Sequence, residues 1–184
     1  LSAEQIETHR EAITHLFEIK DAAFNLIRRQ IETGKKITEY GIVNFIMQCF
    51  DRAGMVTDVP PICAVGPNGG NPHYVPTESG SLPIEKDNLI LIDLWAKTRK
   101  PHSVFGDITW MCYTGSDIPE KYAGHFALVC MGRDAAVEFI RNEWKEQKIY
   151  GYQVDDVCRN VISHADLGNY FTHRTGHSIA EDPH

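Results

Sequence analysis

No apolar run in this 184-residue chain approaches the roughly 18–20 residues needed to cross a bilayer, so no membrane-spanning helix is expected. The opening, LSAEQIETHR, lacks the pattern of a secretory leader and lacks an initiator Met, as an excised or processed piece would. Cysteine is sparse and odd in number: Cys49, Cys63, Cys112, Cys130 and Cys158 are far apart and form no CxxC pair. That excludes a zinc knuckle and a disulfide framework, and leaves buried free thiols in a reducing cytoplasm as the expectation. Basic residues are scattered and outnumbered, 18 against 25 acidic, which argues against a nucleic-acid surface. What is present is ordinary globular composition, 42% hydrophobic and 23% charged, long enough for one domain with a real core.

Helical periodicity dominates the first third. Ser2 can cap a helix over 2–33, with Ile6, Ile13, Leu16, Phe17, Ala23, Phe24 and Ile27 as its apolar stripe and Gly34 as its stop. Thr38 can cap a second helix over 39–53, with Ile42, Val43, Phe45, Ile46 and Phe50 inward and Gly54 beyond it. Strand territory opens at 60–64, and the loop GPNGGNPHYVPTESG follows, carrying His73 and Tyr74. Loops held by a scaffold commonly carry function. Later, Ser116 or Asp117 is expected to cap a third helix running to about Lys148, with Phe126, Val129, Ala136, Val137 and Ile140 among its apolar residues. Gly132 inside it costs about 1 kcal/mol relative to Ala. Gly151 separates a fourth helix near 154–165, and 169–172 is expected to start a strand before the histidine-rich tail HRTGHSIAEDPH.

The stretch 89–110, LILIDLWAKTRKPHSVFGDITW, joins two apolar runs by Lys-Pro turn chemistry, and each run carries one aspartate, Asp93 and Asp107. An ionised carboxylate in a buried strand is costly unless a cation or donor satisfies it. Two carboxylates brought together by adjacent antiparallel strands suit a divalent metal. Asp93, Asp107 and one histidine make a plausible partial site, and Glu181 and Asp182 are further candidates. The order helix, helix, histidine-bearing segment occurs twice, ending at His73 and at His177, but only the first is followed by strands. Two equal halves would need roughly 40–60 more residues, so residues 1–184 are expected to be a single incomplete domain.

Four motifs in order, Asn71-Pro72-His73-Tyr74, Leu91-Ile92-Asp93-Leu94, Gly106-Asp107-Ile108-Thr109 and His173-Arg174-Thr175-Gly176-His177, resemble the pita-bread metallopeptidases: methionine aminopeptidase, aminopeptidase P and prolidase. NPHYVPT and YFTHRTGH are closer to the proline-specific, Xaa-Pro branch. The resemblance implies an α/β (α+β) pita-bread fold, a curved and mainly antiparallel sheet with outer helices and a pseudo-twofold repeat, here without its last strands. It implies two divalent metal ions (Mn, Co or Zn), with Asp93 a terminal ligand, Asp107 the bridge and His177 the histidine ligand. His73, His173 and His184 match histidines of the substrate pocket, and His184 follows His177 at the family spacing. The implied activity is hydrolysis of N-terminal Xaa-Pro or similar peptide bonds through a metal-bridged hydroxide, with a peptide as substrate. No nucleic-acid or membrane partner is implied, and the sequence sets no oligomeric state, a homodimer being one option.

Three departures stand out. GHSIA replaces the family's GHGIG, placing Ser178 and Ala180 where glycines give backbone freedom. Trp110 stands where arginine is frequent, an exchange expected to remove a partner of the carboxylates. The two glutamates that complete the family's site would follow His184, so the isolated chain is expected to be inactive and to hold metal poorly. The alternative is a non-catalytic pita-bread module that binds protein or peptide, although such members usually lose the ligands retained here.

Overall fold

The computed structural model describes residues 1–182 and divides them into two compact units. The first is Leu1–Ser116 with the tail from Ser178, and the second is Asp117–His177.

The first unit begins with α1 (Ala3–Glu32) and α2 (Glu39–Arg52), both bounded as their sequence signals predict. Ser2 and Gln5 close a reciprocal capping box at the start of α1, satisfying two donors that the helix cannot satisfy internally. Thr38 Oγ1 accepts from Gly41 N–H at the start of α2. Gly34 and Gly54 follow the two helices at φ +67° and +66°, a conformation in which a side chain would be strained.

Four strands follow: β1 (Met55–Val56), β2 (Ile62–Val65), β3 (Leu89–Thr98) and β4 (Gly106–Tyr113). All pairings are antiparallel and all involve β3. The aliphatic run at the start of β3 divides between two faces, because strand side chains alternate. Ile90, Ile92, Leu94 and Ala96 are buried and join Leu16, Ala23, Ile27, Ile42, Ile46 and Phe50 of α1 and α2 in the main core. Leu89, Leu91, Asp93, Trp95 and Lys97 line the opposite, half-buried face. The helices therefore cover one side of β3 and leave the side carrying Asp93 for other use.

The second unit contains α3 (Glu120–Glu143) and α4 (Gly151–Ser163), packed around Ala136, Cys158 and Ile162. Gly132 has a reason: a Cβ there would lie 2.9 Å from Cys158 Sγ, so glycine permits the close approach of α4. Several expectations fail here. Neither Ser116 nor Asp117 caps α3; its N-cap is Pro119, in extended conformation at φ −55° and ψ 136°. A residue before proline disfavours helical geometry, so the helix cannot include Ile118 and starts late. Gly151 opens α4 rather than preceding it. Residues 168–170 form a short 3-10 turn in place of the expected strand start. On α3, Phe126 and Val129 are 53% and 57% exposed while Ala136 is buried, so only part of the apolar stripe read there is core among the described residues.

Among the described residues, no helix is long and apolar enough to cross a membrane.

Candidate functional site

The register of β3 and β4 sets the geometry of the two aspartates. Asp93 stands opposite Thr109, and Asp107 stands opposite Trp95. Paired residues share a face, so Asp93, Trp95, Asp107 and Thr109 all project from the side away from the helical core. Asp93 and Asp107 are diagonal neighbours, a relation that separates Cα atoms by roughly 7–8 Å and lets side chains meet. Both are half-buried. Thr109 Oγ1 donates to Asp93 Oδ1 at 2.6 Å, orienting that carboxylate along the sheet face. Trp95 Nε1–H donates to Asp58 Oδ1 at 2.8 Å, fixing the indole that faces Asp107 across the strand pair.

Two hard-oxygen groups on one strand pair fit a divalent cation as far as this unit goes. Among the described residues, no group of three or more His, Cys, Asp or Glu side chains is arranged to hold a metal ion. His173 and His177 belong to the second unit, where both are exposed, and His184 lies outside the described residues. Glu181 is committed elsewhere: its carboxylate accepts from Gln5 Nε2 at 3.0 Å and pairs with His102 Nδ1 at 3.1 Å. Trp110 is on the face opposite the carboxylates, opposite Ile92, with its ring 5.9 Å from that of Phe17 and under Lys20 Nζ at 4.5 Å. A side chain at this position points toward α1, so the exchange of arginine for tryptophan does not act directly on Asp93 or Asp107.

Cysteine chemistry is not indicated on the β strands. Burial pushes the Cys63 thiol above its ordinary range and the Cys112 thiol to about 11, so both are protonated near neutral pH.

His73 is held by its loop. Its N–H donates to Asn71 Oδ1 at 3.0 Å, closing a local turn, and the ring is exposed. The loop's anchor is Glu39, a residue with no functional assignment from sequence. Glu39 is fully buried. Its Oε1 accepts from Val65 N–H at 2.7 Å and Asn68 Nδ2 at 2.9 Å. Its Oε2 accepts from Leu82 N–H at 2.7 Å and Tyr74 Oη at 2.5 Å. One carboxylate thus fastens both ends of the loop and the residue next to His73. Burial and the bond to Glu39 push the Tyr74 phenol up to about 12, which keeps it a donor. A signal was present: Glu39 lies on the stripe of Ile42, Val43, Ile46 and Phe50, and an acid on a buried helical stripe needs partners.

In the second unit, Arg159 Nε donates to Asp155 Oδ2 at 2.8 Å. The bond from Arg159 outweighs the opposing effect of burial, and with donors from Thr175 it holds the Asp155 carboxyl down at about 2. Because its folded value lies below its unfolded one, Asp155 contributes stability above the ordinary carboxylate range and loses it as pH falls through about 2. The wild type should therefore melt above Asp155→Asn at about pH 6, and thermal scans should show the gap closing by about pH 2. A gap independent of pH would contradict the assignment.

A model of metallopeptidase family M24 matches residues 11–184. The Xaa-Pro dipeptidase of Pyrococcus horikoshii is 29% identical over 168 residues, which are 91% of this chain and 44% of that protein. A solved dipeptidase structure from Pyrococcus horikoshii superposes with a TM-score of 0.80 at 24% identity, covering 100% of this chain and 46% of the other. An X-prolyl aminopeptidase from Caenorhabditis elegans, described as a cytosolic enzyme with a di-nuclear active site, gives a TM-score of 0.70 at 20% identity, over 89% of this chain and 26% of the other. At these identities the structural likeness concerns the fold, and it agrees with the α/β pita-bread arrangement. The chain spans about half the length of the curated relatives it matches.

Proposed function

Since the chain belongs to metallopeptidase family M24, matched over residues 11–184, we propose that the protein is a metal-dependent exopeptidase cleaving N-terminal Xaa-Pro or similar peptide bonds. The observation that carries this reading is the placement of Asp93 and Asp107 on one face of the β3–β4 pair, turned from the core. A pair of divalent ions, Mn, Co or Zn, would supply a water activated for attack near neutral pH. Asp93 and Asp107 are the proposed carboxylate ligands, Asp107 shared between the ions, and His177 is the proposed imidazole ligand. Thr109 holds Asp93 through the bond to Oδ1. His73, His173 and His184 are assigned to orienting the peptide and moving protons at the leaving amine. The five free cysteines fit the reducing cytoplasm we assign to it.

The test uses the full natural chain. Treatment with a chelator should abolish hydrolysis of an Xaa-Pro dipeptide, and readdition of Mn, Co or Zn should restore it. Hydrolysis that survives exhaustive metal removal contradicts the reading. Metal-replete protein that binds an Xaa-Pro peptide without cleaving it supports a binding module instead.

A further inference from the structure

The second unit contains a device that parallels Glu39, built on α4. Asp155 Oδ1 accepts from Thr175 N–H at 2.8 Å and from Thr175 Oγ1 at 2.9 Å. Arg159, one turn further along the helix, donates through Nη1 to the Phe171 carbonyl at 2.8 Å and through Nη2 to the His173 carbonyl at 2.9 Å. Its guanidinium also lies 4.4 Å from the centroid of the Phe171 ring, whose edge meets the His173 ring at 5.1 Å. The ion pair between Asp155 and Arg159 aligns the two side chains with each other, so a single i, i+4 pair makes four hydrogen bonds to one short segment. All four go to Phe171, His173 and Thr175, which bracket or carry the histidines of HRTGH.

This use of an ion pair is unlike a surface salt bridge. Exposed i, i+4 pairs contribute little to stability, and their partners are usually free to move. Here three of the four bonds go to backbone groups, and residues 171–175 lie outside every helix and strand, with only the Phe171 N–H tied back, to the Gly168 carbonyl at 3.1 Å, among the described backbone bonds. These bonds offset part of the chain entropy lost in ordering an irregular segment. We propose that Asp155 and Arg159 are positioning residues that hold the His173–His177 segment in the conformation its histidines need. The inference rests on the metallopeptidase reading for what those histidines do. It assigns the pair no contact with substrate or metal.

The experiment compares the full natural chain with Asp155→Asn and with Thr175→Val, which removes only the hydroxyl donor. Two quantities are read: hydrogen exchange at the Thr175 amide, with Cys158 and Ile162 amides of α4 as internal controls, and Co²⁺ affinity by calorimetry. In Asp155→Asn, Thr175 exchange should accelerate roughly tenfold, as loss of a charge-assisted bond implies, while the α4 amides stay protected. Co²⁺ affinity should fall roughly 10- to 100-fold, the range for groups that orient ligands without touching the metal. Thr175→Val should move both readouts in the same direction by less. Equal acceleration at Thr175 and along α4 would mark general loosening and overturn the inference. So would unchanged Co²⁺ affinity in Asp155→Asn when the wild type binds. A wild type that takes up no Co²⁺ would overturn the peptidase reading, and this inference with it.

Discussion

Glu39→Ala is expected to destabilise the protein by about 3–5 kcal/mol, because several donors lose their acceptor at one buried point. The four donors are two backbone N–H groups at the ends of the His73 loop, one amide and one phenol. Each buried donor left unsatisfied costs about 1–3 kcal/mol, and water entering the vacated space would recover part of that. Glu39→Gln keeps the shape but turns an NH₂ toward a donor, so it should cost less than alanine and more than a surface change. The measurement is urea unfolding of both variants against the wild type. A loss below about 1 kcal/mol for alanine would contradict the anchoring role. The loop should loosen first, so the turnover proposed to depend on His73 should fall further than global stability alone explains.

The second large effect is of the opposite kind. Asp107→Asn should abolish peptide hydrolysis while leaving the fold intact. Asp107 is half-buried on the face away from the core and faces Trp95, so a neutral side chain of the same shape disturbs no apolar packing. In metal-free protein the exchange keeps the side chain's shape and removes one of two neighbouring like charges, so the melting temperature there should change little. Groups that merely orient a metal ligand cost 10- to 100-fold when lost, so removal of the ligand proposed to be shared should exceed roughly 100-fold in kcat/KM. Steady-state hydrolysis of an Xaa-Pro dipeptide with metal present and a thermal scan of the metal-free protein separate the two readouts. Activity and stability falling together would point to a structural role.

Much of the first unit was legible because local signals and tertiary needs agree there. Ser2, Thr38, Gly34 and Gly54 mark helix ends, and the stripes between them meet the core they imply. Asp93 and Asp107 were legible as charges that a strand should not carry without a reason. The second unit was less so. Ser116 and Asp117 resemble caps, but Pro119 excludes Ile118 from the helix, and a local steric rule overrides the capping pattern. Residues 169–172 have strand composition, yet Arg159 takes the carbonyls of Phe171 and His173 that a strand pair would use. Glu39 and the Asp155–Arg159 pair carry no motif that sets them apart from ordinary helix residues. Their partners are distant in sequence, so periodicity could not name them; only Glu39 betrayed itself, by sitting on a buried stripe.

A two-metal centre founded on Asp93 and Asp107, as proposed, sets the Co²⁺ stoichiometry of the full natural chain, which calorimetry reads. Two ions per chain are expected in the wild type and, with the ligand proposed to be shared gone, fewer than two in Asp107→Asn. A wild type that binds none, or an Asp107→Asn variant that still binds both, would contradict it.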